Sequence, residues 1–374
     1  MKRDRRLSRC LRWPPLGLLL ALAATGVTDD GRGVCSPLLH AEEYSQSKPN
    51  HIKREIQVDS RELSLESAER YLSLVDRFRR GEQKALEELM DRPSKDIAIS
   101  IFSIPRAEEY ESCLPAAVVL HVECALQLFE RDDDDRGFWQ LTFARTVIDM
   151  MEPTKKRRWL RECLLLVGYY FQRPGVQPLD GRSMNFFKEA LSLFPGDPEI
   201  LLAIGSMYEA VGQIEEDKGK TEKALEYYQR CLEADSRWVE ARLRLGATLL
   251  KLGRFTEASA ELRWVLRNTD DANLSYIAYL LLGDSHKSQG MWREAVRDYE
   301  AAVNTSPEWQ VACISLSHAL QRTGDRSRAA EVVEKCLQLP VDDLYYEDGW
   351  WRYHFGLSYR KEDMLEEWRR TVIP

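Results

Sequence analysis

The sequence predicts an all-α chain folded as a helical-repeat solenoid, and three observations carry that reading. Ser236–Val341 holds three successive copies of one pattern. Gly246 is followed by Gly253 and Ala258, Gly283 by Gly290 and Ala295, and Ser317 by Gly324 and Ala329, at seven and twelve residues each time. Apolar residues recur at helical spacing on both sides of the middle glycine: Leu245, Leu249 and Leu252 before Gly253, then Phe255, Leu262 and Val265 after it. That is a 3.6-residue period on either side of a breaker. Two further copies lie upstream, at Pro198–Trp238 and Arg161–Asp197. Self-similarity at a period in the thirties marks a stack of helix pairs, none of which buries its apolar face alone.

Each residue type at a fixed place has a physical reason. The small residue at the first place (Gly246, Gly283, Ser317) lets the first helix approach the second, and the alanine (Ala258, Ala295, Ala329) is expected opposite it. The middle glycine sits where the turn needs a left-handed backbone. Pro307 ends a second helix, because proline cannot continue one.

This pattern resembles the tetratricopeptide repeat, with a period of about 34 residues. Tyr276–Trp309 is the fullest copy, with Gly283, Gly290, Ala295, Tyr299, Ala302 and Pro307. Val239–Ala272 carries Gly246, Gly253, Ala258, Leu262 and Val265, and Gln310–Asp343 carries Ser317, Gly324, Ala329, Val333 and Cys336. Pro198–Trp238 keeps Gly205, Tyr208, Gly212, Ala224, Tyr228 and Cys231, with a turn at Gln213–Thr221 about seven residues longer than the pattern. Arg161–Asp197 keeps Gly168, Phe171, Ser183, Phe187, Ala190 and Pro195.

The resemblance implies a right-handed solenoid whose first helices line a concave groove through places two, five, nine, twelve and thirteen. Place five is Leu165, Leu202, Leu243, Leu280 and Ile314, an aliphatic stripe. Place nine is Tyr169, Ser206, Ala247, Asp284 and His318, and the last two places add Glu209, Lys251, Lys287, Gln321 and Arg322. Relatives that clamp a chaperone's terminal carboxylate carry Lys and Asn at places five and nine, so that activity is not implied here. The implied partner is a protein, met as an extended peptide or an amphipathic helix laid in the groove. The stripe also admits a second reading, as core covered by the chain's own aromatic C-terminus.

The rest of the chain frames this array, expected at 153–343. Lys2, Arg3, Arg5, Arg6, Arg9 and Arg12 precede an apolar run at Leu16–Val27 that ends in small residues. That is the outline of a signal peptide, expected over residues 1–23, and implies an exported protein. An uncleaved N-terminal membrane anchor is the alternative. Residues 24–60 read as a polar, flexible spacer. Residues 61–152 form an N-terminal helical region: Arg61–Arg80, a break at Gly81, Glu82–Met90, then a pair at Pro115–Glu130 and Gly137–Met151 that reads as a degenerate repeat. Ile97–Ile104 is β-branched, yet reads as helix or irregular inside an all-helical chain. Residues 344–374, rich in Trp and Tyr, are expected to form a C-terminal cap helix pair.

The chain carries a net charge of −8. Residues 1–23 hold six basic residues and one acidic, so their removal leaves −13. An acidic chain without a basic stripe excludes nucleic acid as the partner class. No phosphate-binding glycine loop, His-Glu-x-x-His or Gly-x-Ser-x-Gly is present, so the sequence predicts neither catalysis nor a small-molecule substrate. Gly283-Asp284-Ser285-His286 falls inside a repeat helix, where a strained nucleophile turn cannot form. The six His show no ligand spacing and Asp132–Asp135 reads as a solvated acidic loop, so no metal or cofactor is expected. The repeat cysteines read as small buried hydrophobes, with a Cys313–Cys336 disulfide as the alternative in an exported protein.

Overall fold

In this computed structural model the described residues are 62–105, 110–172, 181–338 and 349–373; the expected signal peptide and spacer lie outside them. The described residues form sixteen helices and no strand. The N-terminal region is α1 (Leu65–Arg79), α2 (Lys84–Asp91), α3 (Ser94–Phe102), α4 (Leu114–Glu130) and α5 (Asp134–Met150). Five helix pairs follow: α6 (Pro153–Phe171) with α7 (Arg182–Leu193), α8 (Pro198–Ile214) with α9 (Lys218–Ala234), α10 (Val239–Lys251) with α11 (Phe255–Arg267), α12 (Ala272–Ser288) with α13 (Trp292–Thr305), and α14 (Gln310–Thr323) with α15 (Arg326–Leu337). The last helix is α16 (Gly349–Val372). Ile97–Ile104 is largely helical, within α3.

The breakers act as expected. Gly253, Gly290 and Gly324 have φ of +75°, +72° and +92°, a region that side chains with a Cβ avoid. Aspartates start several helices: Asp197, Asp217, Asp271 and Asp325 each accept a backbone N–H from the first turn they precede.

Two expectations change. The long turn at Gln213–Thr221 is absent: the extra residues lengthen α8 and α9 to 17 residues each, against 13 in α10 and α11. Glu216, with φ of +53°, takes the left-handed place that glycine holds in the later turns. The alanine is also not what the small residue of the first helix faces. A Cβ on Gly168, Gly205, Gly246 or Gly283 would lie 2.4, 2.6, 2.9 and 2.4 Å from the side chains of Phe187, Tyr228, Leu262 and Tyr299. Each glycine is therefore the socket for a large side chain of the second helix. In α4–α5 the arrangement is exchanged: the ring belongs to Phe129 on the first helix and the socket is Gly137 on the second, 2.4 Å away.

The C-terminal segment forms one helix of 24 residues. It packs chiefly on α6, α4 and α12, back along the first helices. The last pair keeps Ile314 60% exposed and Leu337 77% exposed.

The sockets generate a prediction. Tyr299 is fully buried and its hydroxyl donates to Asp284 at 2.7 Å, so the ring cannot swing aside. Gly283→Ala should lower stability by about 1–3 kcal/mol, overpacking outweighing the gain in helix propensity of about 1 kcal/mol. Urea denaturation of Gly283→Ala and of Gly283→Ala/Tyr299→Leu measures this, with the double variant expected to recover part of the loss. Unchanged stability in the single variant would remove the socket account.

Candidate functional site: the concave face and the helix that lies on it

The concave face is built by first helices, and four of them put a carboxylate under α16. Glu162, Glu199 and Glu240 occupy place two of three successive repeats, and Glu123 lies on α4. From α16, Arg360 reaches both Glu199 and Glu240, at 3.4 Å for Glu199. The Trp368 indole donates to Glu162 at 2.8 Å, and Arg369 holds Glu123 in a two-pronged pair at 2.7 and 2.8 Å. The Arg244 guanidinium donates to the Tyr353 carbonyl at 2.9 Å and lies 4.7 Å from the centre of its ring. Trp368 meets Trp159 edge-on at 5.0 Å. The helix thus runs against the order of the repeats, with Tyr353 near α10 and Arg369 on α4.

These contacts belong to a longer alternation of charge. Arg161 pairs with Asp197 and Glu199, Glu199 with Arg360, Arg360 with Glu240, Glu240 with Arg244, Arg244 with Glu209, and Glu209 with Lys251. Arg244 and Glu209 are both buried, and the Tyr228 hydroxyl also donates to Glu209 at 2.7 Å. Burial opposes ionisation of Glu209, yet Lys251 and Arg244 outweigh it and hold its pKa down at about 2. Glu240 is lowered for the same reason, burial being outweighed by Arg244 and Arg360. Burial pushes the Tyr169, Tyr228 and Tyr353 hydroxyls up, so they stay protonated.

The residues assigned to the groove from sequence divide in two. Leu165, Tyr169, Leu202, Ser206, Glu209, Leu243, Ala247 and Leu280 are buried. Asp284 and Lys287 are half-buried and pair with each other. Lys251, Ile314, His318, Gln321 and Arg322 are exposed. The expected open aliphatic stripe is therefore corrected: its four leucines are buried, and only Ile314 is open to solvent. His318 and Arg322 turn to the Trp292 ring of the preceding pair, at 5.5 and 4.8 Å. The acidic comb at Glu162, Glu199 and Glu240 is what sequence reasoning missed. Its signal was readable, as glutamate at one groove place in three consecutive copies.

His121 is fully buried; its Nδ1–H donates to the Gln140 carbonyl at 2.6 Å and its Nε2 accepts from the Tyr71 hydroxyl at 2.7 Å, which defines the neutral ring. Burial lowers its pKa to about 4, against a partial opposing pull from Gln140. Burial pushes the Cys124, Cys163 and Cys231 thiols up to about 12, so they are inert at neutral pH. Cys313 and Cys336 are buried as well. Ser285 and His286 lie inside α12, where His286 pairs with Asp298 at 2.5 Å and Ser285 is buried beside Ser259. Among the described residues no group of His, Cys, Asp or Glu could hold a metal.

Family profiles for the tetratricopeptide repeat match residues 217–280 and 277–308. Residues 217–308 are therefore tetratricopeptide repeats, which support a scaffold for protein interaction. No curated protein matches it. Similar solved structures include MamA from Desulfovibrio magneticus RS-1, 23% identical with a TM-score of 0.41, covering 48% of this chain and 94% of that one. Pseudomonas aeruginosa pilF is 15% identical with a TM-score of 0.43, covering 57% and 90%.

The two titratable groups give a signed pH dependence. Unfolded, His121 takes a proton below about 6.5; folded, it resists until about 4. Its contribution is whole above pH 6.5 and is lost as pH falls to 4. Glu209 contributes above its ordinary 4.5, and this is lost as pH falls through 2. Denaturant titrations should show stability falling by roughly 3 kcal/mol between pH 7 and 4 from His121 alone. In His121→Asn that slope should be absent, and a wild-type slope in the variant would contradict the assignment.

Proposed function

We propose that the chain is a non-catalytic scaffold that holds a segment of a protein partner, a helix or an extended peptide, in its concave groove, and that it works outside the cytoplasm. The observation that carries the groove reading is α16 itself. A 24-residue helix lies along the first helices with its cations matched to their carboxylates, so the face has the length and the chemistry to seat a helix. The open end of the groove at Ile314, His318 and Gln321 gives a partner a place to begin. Export is supported by the basic head and the apolar run at Leu16–Val27, which together suit a cell-envelope assembly. If the same segment were retained, the protein would be a tethered adaptor, and N-terminal sequencing of the native protein separates the two.

Photo-crosslinking residues placed singly at Lys287 and Gln321, on first helices, test the groove against Arg297 and Glu334 on second helices. The expected result, in the native cell, is a protein adduct from the first-helix positions and none from the second. Equal adducts from both sets would contradict a groove site.

A further inference from the structure

Resting on the groove as the binding face, we infer that its ligand is a basic amphipathic helix of a partner protein, which enters by displacing α16. Three observations lead there. The first is the sign of the face. Glu123, Glu162, Glu199 and Glu240 stand on four first helices in a row, and all four are answered from α16 by an arginine or an indole N–H. Glu123 is only 4% exposed, and a carboxylate this buried needs a cation or donors wherever α16 is replaced. The spacing of the answer is also fixed. Tyr353, Arg360, Met364, Trp368 and Val372 recur every seven or four residues and so share one side of α16.

The second observation is how α16 is held. Of its described side chains only Tyr353, Trp368 and Val372 are buried. Most of its specific contacts are ion pairs or charge-assisted hydrogen bonds, which another cationic helix can reproduce.

The third is that α16 fits imperfectly. Between it and the first helices lies an open cavity of about 610 Å³, lined from the array by Glu162, Glu199, Glu240 and Asp271 with Arg161 and Arg244, and from α16 by Arg360, Asp363 and Glu367. The lining holds six acidic side chains against three arginines, and two of the acidic ones, Asp363 and Glu367, come from α16 itself. Like charges across a shared cavity repel, and such juxtaposition is how a site rejects a ligand. A helix that keeps the Arg360–Trp368–Arg369 register but carries neutral or basic residues at the places of Asp363 and Glu367 removes that repulsion. Self-occupancy by α16 then keeps the groove closed until such a helix arrives, at the cost that self-occupancy imposes on apparent affinity.

The test uses the full chain and fluorescent peptides spanning residues 349–374. The peptide with Asp363→Lys/Glu367→Lys should bind at least tenfold more tightly than the unchanged peptide, and more weakly as salt is raised. The same peptide with Arg360→Glu/Arg369→Glu added should not bind. A full chain with Arg360→Gln, whose own α16 is loosened, should bind the unchanged peptide at least tenfold more tightly than wild type does. Should that chain not fold, Arg369→Gln serves in its place. Affinity indifferent to the peptide arginines, or equal for wild-type and loosened chains, would overturn the inference. Groove crosslinks in the cell to an acidic or apolar segment would overturn the basic ligand while leaving the groove reading intact. Absence of crosslinks from Lys287 and Gln321 would end both.

Discussion

Four glycines on first helices stand where a Cβ would run into a ring or leucine of the second helix, at 2.4 to 2.9 Å. That close approach sets everything downstream of it. A large side chain seated in a glycine socket fixes how far apart the two helices of a pair lie. Pairs of equal spacing stack with equal rotation, and equal rotation brings the same place of every first helix to the same edge of the solenoid. This is why Glu162, Glu199 and Glu240, about forty residues apart in sequence, form one acidic comb. The Phe129–Gly137 contact repeats the close approach with the roles exchanged, and Glu123 on α4 extends the comb to Arg369.

The comb is then answered by α16 and tied into the array behind it. Glu240 is shared by Arg360 from the helix and Arg244 from the repeat, and Arg244 passes the charge inward to Glu209. Buried ion pairs of this kind contribute little net stability, because desolvation offsets the attraction, but breaking one costs about 3–5 kcal/mol. Their effect here is on position: each glutamate meets an arginine or an indole N–H at one point along α16, so the helix has one register on the face. A purely apolar face would have allowed it to slide.

Much of the fold was legible in the sequence because it depends on local periodicity. The helix pairs, the left-handed glycines and the break at Gly81, with φ of +82°, follow from residues within a few positions of one another. The turn after α8 was misjudged because length alone cannot tell a loop from longer helices, and Glu216 replaces the expected glycine. The groove was legible only in part. Place five looked like an open aliphatic stripe, but the leucines there are buried, Leu243 and Leu280 in a core cluster that also takes in Tyr353 of α16. The three glutamates at place two carried the real signal. What answers them was beyond reach, since Arg360 lies 120 residues from Glu240 and 161 from Glu199, and no period links them.

The account turns on the carboxylates of the comb holding α16 to the first helices, and hydrogen exchange measures that directly. In the wild-type chain the amides of residues 360–372 should be protected. In Arg360→Gln, which leaves Glu199 with Arg161 and Glu240 with Arg244, the same amides should exchange at least tenfold faster, while those of α8 and α10 keep their wild-type rates. Unchanged protection of residues 360–372 in that variant would show that α16 is held by something other than the comb, and the central claim would fail.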